Sequence, residues 1–177
     1  MTRMKFALAA LILMALFAVN LAGQMPVSKP APELAKLDFL AGTWNSEVDM
    51  KPGPMGPGGK MTSVDDTHWM EGKFFLIMNS TYKGVMSGVS MSVFGYDSAN
   101  KVYTYNAFDS TGEAGRSTGT VNADTWTWNS DLDFGGQSMK GRFTMKVLSA
   151  TSYTFKYEVS KDGAQWTDVM DGKAVKK

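Results

Sequence analysis

The feature that most restricts what this chain can fold into is a period of two, repeated over most of its length and broken only by short turns. In "TWTWNSDLDFG" the residues Trp126, Trp128, Leu132 and Phe134 share one face, and Thr127, Asn129, Asp131 and Asp133 share the other. "SYTFKYEVS" sets Tyr153, Phe155, Tyr157 and Val159 against Thr154, Lys156 and Glu158, and "RFTMKVL" sets Phe143, Met145 and Val147 against Arg142, Thr144 and Lys146. Side chains of a strand alternate between its two faces, so the pattern predicts strands with one buried and one wet face, as antiparallel sheets have.

Between these runs lie turn signals: "YKG" at Gly84, "DSANK" at 97–101, "DSTGE" at 109–113, "NAD" at 122–124, "FGGQS" at 134–138, "LSATS" at 148–152 and "SKDGAQ" at 160–165. Connections this short pair each strand with its neighbour in sequence. A meander of about ten strands hides its edges by closing, which predicts an all-β, antiparallel, up-and-down barrel. "FFLIM" at 74–78 is apolar on both faces and is expected to be buried on both sides or covered by the N-terminal helix.

That helix is expected in "ELAKLDFLAG", where Leu34, Leu37 and Leu40 recur at helical spacing after Pro32 and the pattern stops at Gly42. From Trp44 the period becomes two, with Trp44, Ser46, Val48 and Met50 on one face. The change of period predicts a short helix that caps one end of the barrel, leaving the other end for a ligand. Upstream, "MTRMKFALAALILMALFAVNLAGQ" joins a basic start, an apolar run and small residues, so residues 1–23 are expected to be a signal peptide, with an uncleaved N-terminal anchor as the alternative because no clean A-x-A site follows, 24–32 a Pro-rich linker and 33–177 the barrel domain. The product would be exported, periplasmic or secreted. Gln24 stands where a lipoprotein signal needs cysteine, so no lipid anchor is expected there.

With residues 1–23 removed, the 18 basic residues fall by two, Arg3 and Lys5, against an unchanged 17 acidic ones. A surface this close to neutral gives nucleic acid no electrostatic footprint, and no stable membrane span is expected after processing. The chain has no cysteine, so packing alone must hold it together.

"LDFLAGTW" resembles the Leu-x-x-Leu-x-Gly-x-Trp segment with which calycin-like, lipocalin-like barrels pass from a closing helix into the first strand. With "FGYDSANKVYTYNAFDSTGE" and "SKDGAQW" in order after it, the chain from about residue 34 resembles the bacterial exported family catalogued as domain of unknown function fifteen seventy-nine. The resemblance implies a calycin-like barrel with a general binding role and names no mechanism.

A barrel of this size can leave an interior cavity for a small apolar or amphipathic molecule. The inward face is expected to hold Trp44, Val48, Phe75, Ile77, Val89, Met91, Val93, Trp126, Trp128, Phe143, Met145, Tyr153, Phe155 and Tyr157. Of these, Trp44, Phe75, Met91, Trp126, Trp128, Met145, Phe155 and Tyr157 are the candidate ligand-binding residues, together with Arg116, whose planar fork would suit a ligand carboxylate if it points inward. An equally simple reading is a solid aromatic core and an exposed Arg116.

Other chemistry finds little support. His68 is the only histidine, which excludes a His-pair metal site; a haem site or a Cu(I) site from His68, Met70, Met50, Met55 and Met61 lacks fixed ligand spacing, so no metal or cofactor is expected. The loop "KPGPMGPGGK" at 51–60 is read as a lid tipped by Met55 or a plain linker. Carboxylates such as Asp65, Asp66, Asp97, Asp109, Asp131 and Asp133 are expected to fall mostly in turns or on outer faces, and no nucleophile elbow appears. The chain is therefore read as a small-molecule-binding barrel, with a non-catalytic envelope protein of solid core as the alternative and no enzymatic residue set.

Overall fold

The computed structural model describes residues 29–53, 56–134 and 136–177. The expected signal segment, most of the linker and Met55 at the tip of the Gly/Pro loop lie outside the described residues. Among the described residues one helix, Pro32–Leu40, precedes ten strands: β1 (Gly42–Met50), β2 (Gly59–Trp69), β3 (Leu76–Gly84), β4 (Gly88–Asp97), β5 (Val102–Asp109), β6 (Ala114–Asn122), β7 (Thr125–Phe134), β8 (Gln137–Ser149), β9 (Ser152–Ser160) and β10 (Thr167–Lys176). Each strand pairs antiparallel with its neighbours in sequence, and β1 pairs with β10, so the sheet closes into a barrel without a free edge. The all-β, ten-strand meander expected from the period-two pattern is what forms.

The helix is of the 3-10 kind, with three residues per turn. That period places Leu34, Leu37 and Leu40, spaced by three, on one side, and all three are buried. Each such burial stabilises by about 1.5–3 kcal/mol. Gly42 does not end the helix; it opens β1 with φ of 119°, a backbone geometry that favours glycine.

Four polar links tie this helix to the barrel floor. The Trp44 indole Nε1 donates to the Leu40 carbonyl at 2.9 Å, Trp69 Nε1 to Asp38 Oδ1 at 2.8 Å, Tyr103 Oη to the Glu33 carbonyl at 2.9 Å, and Lys176 Nζ to the Phe39 carbonyl at 3.0 Å. The donors come from β1, β2, β5 and β10, so the helix is held from several sides of the barrel. The same end holds the densest aromatic packing, with Trp126 stacked on Trp128 at 6.0 Å and Tyr103 edge-on to Trp126 at 4.7 Å.

The register corrects the expected inner face at β3 and β4. Leu76 pairs with Phe94, and Phe94 with Tyr105. Leu76, Met78 and Ser80 therefore point inward with Ser90, Ser92, Phe94 and Tyr96, while Ile77, Val89, Met91 and Val93 lie on the outer wall. A one-residue choice of face moves a whole strand, and here the tyrosines of β5 and the fully buried Leu76 decide it against the more apolar row of β4.

Candidate functional site

The barrel interior divides into two halves. Near the helix, Trp44, Leu76, Phe94, Tyr103, Trp126, Trp128 and Tyr153 are buried and fill the space. Toward the opposite end, where the β1–β2, β3–β4, β5–β6, β7–β8 and β9–β10 connections gather and β1 and β8 to β10 keep Met50, Met139, Val159 and Met170 inward, several inward positions of β2 to β7 become small. Ser63, Ser80, Ser90, Ala107, Ser117 and Ser130 occupy them and are only half-buried, and Gly115 is exposed. Solvent therefore reaches inward-facing positions of β2 to β7 from this end, the mouth, while Met50, Met139 and Val159 at the same end are buried.

Asp65 stands where the two halves meet. On β2 it pairs with Trp44 of β1 and Ser80 of β3, all three inward. Its residue is 7% exposed. Ser46 and Ser63 hydroxyls donate to its Oδ2 at 3.5 and 3.3 Å, both beyond the usual O–H···O range of about 2.5–3.0 Å. Burial pushes the Asp65 carboxyl above its ordinary range, and the hydroxyls of Ser80, Ser63 and Ser46 only partly offset this. No cation pairs with it among the described residues.

Two phenols face the same region. The Tyr105 hydroxyl accepts from Ser92 Oγ at 2.9 Å. Burial raises the Tyr105 and Tyr153 hydroxyls above the usual phenol range, and the negative charge of Asp65 adds to both shifts. Both stay neutral hydrogen-bonding groups at ordinary pH. Thr67, one inward position below Asp65, has a buried Oγ1 with no partner. The constellation is one buried carboxyl among serines and tyrosines, with hydrogen-bonding capacity left over.

A second polar pair sits at the mouth. Tyr82 Oη donates to Asp109 Oδ2 at 2.5 Å, and this bond raises the tyrosine and holds the aspartate below its usual range.

Among the candidate residues from sequence, Trp44, Trp126, Trp128, Met145 and Phe155 are inward and buried in the floor, and Tyr157 is inward and half-buried. The other three lie elsewhere. Phe75 precedes β3, is 45% exposed and lies over Gly95 on the outer wall. Met91 is 43% exposed on the outer face of β4. Arg116 is exposed, because Gly115, Ser117 and Gly119 are the inward residues of β6. His68 is exposed beside half-exposed Met70, and among the described residues no three His, Asp or Glu side chains gather as a metal site would require.

Among the carboxylates, Asp65 on the inner face and Asp109 at the inward rim are those that sequence reasoning misplaced, and Asp65 is the buried one. The signal was present in "GKMTSVDDTHW": alternation puts Met61, Ser63, Asp65, Thr67 and Trp69 on one face, with an aromatic at one end and a methionine at the other. Three small polar residues in the middle concealed that face as the inner one.

Solved structures share the fold. A crystal structure of Rv2717c from M. tuberculosis superposes with a TM-score of 0.60 at 13% identity, covering 84% of this chain and 99% of that one. The S-type phycobiliprotein lyase CPES from Guillardia theta superposes with a TM-score of 0.52 at 9% identity, covering 81% and 91%. At these identities the likeness concerns the barrel alone. No curated protein matches the chain in sequence. Residues 29–176 match the family described as a protein of unknown function (DUF1579), and the chain belongs to that family.

Proposed function

We propose that this protein is an exported binder of a small amphipathic molecule, held inside the barrel and reached from the end opposite the helix. The observation that carries the reading is the gradient along the β2–β7 side of the interior: large aromatic side chains fill the floor, whereas serine, alanine and glycine toward the mouth leave inward positions half-buried or exposed. The barrel shared with a structure named as a phycobiliprotein lyase is consistent with a ligand-binding role. Export rests on the N-terminal sequence alone, and fractionation of the producing cell checks it.

Two measurements test the binding reading. Native purification, solvent extraction and mass spectrometry recover a bound small molecule. Ala107→Trp, at an inward and half-buried position near the mouth, then blocks binding while leaving the fold about as stable as before, because the indole enters open space. In a solid core the same change would overpack it and cost about 1–3 kcal/mol. An empty extract together with a destabilised variant would sink the proposal.

A second reading, an envelope interaction protein with a solid barrel, has one observation in its favour. The outer wall of β2, β4 and β5 exposes Val64, Val89, Met91 and Phe108, and a shallow concavity of about 390 Å³ lies among the last three. Self-association that disappears on Phe108→Ser would favour it.

A further inference from the structure

We infer that the barrel interior selects an amphipathic amine, with its ammonium head paired to Asp65 and its apolar part directed toward the mouth; this rests on the interior-binding reading above. The first argument is charge. Among the inward positions of the described strands, the only ionisable carboxyls are Asp65, deep, and Asp109, at the rim, and the only basic side chain is Lys176. Lys176 does not neutralise Asp65. It pairs in register with Trp44 on the side opposite Asp65, donates to the Phe39 carbonyl and lies over the Trp44 ring at 5.3 Å. The accessible interior thus carries negative charge only, which opposes a fatty acid or any other anion.

The second argument is unused capacity. An ionised carboxylate offers about four acceptor sites. Asp65 receives only long contacts from Ser46 and Ser63 and the Ser80 hydroxyl, and it is nine-tenths buried. A buried carboxyl without a cation is costly for the empty protein, so an arriving cation that replaces its lost hydration gains more there than at the surface. The neighbouring unpartnered Thr67 Oγ1 is a further acceptor aimed into the same interior. An ammonium brings up to three donors and no acceptor, which matches a lining of acceptor groups.

The third argument is the wall around the carboxyl. Trp44 packs on Tyr153 at 4.8 Å and Phe94 on Tyr105 at 4.9 Å, so aromatic rings border the region on the β1–β9 and β4–β5 sides. Ring faces attract ammonium groups and repel carboxylates. Above them Met61, Phe143, Tyr157 and Met170 are inward and half-buried, giving an apolar part of the ligand a surface near the mouth.

The experiment uses the mature chain and Asp65→Asn, with n-decylamine, n-decanol and n-decanoate titrated calorimetrically at neutral pH. The expected result is that the unaltered protein prefers decylamine to decanol by about tenfold or more, the size of one charge-assisted hydrogen bond, and binds decanoate most weakly. Asp65→Asn removes that preference and leaves decanol binding within about twofold, since the amide is nearly isosteric and carries no charge. Equal affinity of both proteins for decylamine, or a preference for decanoate, overturns the inference. If decanol binds and decylamine binds no better, only the head-group assignment falls and the interior-binding reading stands. If none of the three binds, both fall.

Discussion

Trp44 shows how a single side chain closes one end of this barrel. Its ring is fully buried between the N-terminal helix and Tyr153, and its Nε1 supplies the Leu40 carbonyl with a partner at the point where the helix gives way to β1. Trp44→Phe keeps most of the apolar area and leaves that carbonyl unpaired, so it is expected to cost about 1–3 kcal/mol in urea unfolding. Asp65 acts in the opposite direction. Because burial raises its folded-state carboxyl above the unfolded value, the folded protein takes up protons more readily. Stability from this group is full below the unfolded value and is lost as pH rises through the raised folded value. Asp65→Asn is therefore expected to be more stable than the unaltered protein at neutral pH and to lose that advantage in acid. Urea midpoints at pH 7 and pH 4 check this, and an equal advantage at both would refute the account. The adjacent Asp66 makes a contrast that letters alone could not: it is exposed, and only the strand register separates the two.

At the scale of elements, what was legible depended on how strongly each segment contrasted its two faces. β1, β7, β8 and β9 alternate aromatic or aliphatic residues with charged or polar ones, and their inward faces read correctly from sequence. β4, "GVSMSVFGYD", places serines on one face and Val89, Met91 and Val93 on the other, and the serine face is the inner one. Its local pattern points the wrong way because the faces are set by Phe94 and Tyr96 against the β5 tyrosines, a contact that lies outside the segment. β6 offered almost no signal, since Gly119 is inward only to let Trp128 lie flat over it; a Cβ there would meet the ring at 2.4 Å. The helix was legible as leucines at a spacing of three, though not as a 3-10 helix. Leu37 is fully buried beneath it, and Leu37→Ala is expected to cost about 2–5 kcal/mol, read as a lower urea midpoint with the barrel spectrum retained. A cost within a few tenths of a kcal/mol would mean that the helix merely rests on the floor.

Closure belongs to the molecule as a whole, because the first strand pairs with the last. Seven residues of β1, Trp44 to Met50, match β10 from Lys176 back to Met170, and this seam depends on the most distant segments of the barrel. Without β10, β1 and β9 become two long edges whose unpaired amides and carbonyls invite pairing with other chains. Removal of residues 167–177 is expected to abolish cooperative thermal unfolding and to produce aggregates on size-exclusion chromatography. The same topology makes a circular permutant a fair comparison. Gly42 and Lys176 lie at the same end of the seam, since Trp44 pairs with Lys176 and the Lys177 amide donates to the Thr43 carbonyl at 2.8 Å. A flexible linker from Lys177 to Lys29, with new termini opened in the loop between β1 and β2, preserves every strand pair while changing only chain order. If pairing is what holds the barrel, the permutant stays monomeric and unfolds in one transition, whereas the truncated chain does not. If both fail alike, the order in which the strands are made, and not the closed seam, governs the fold.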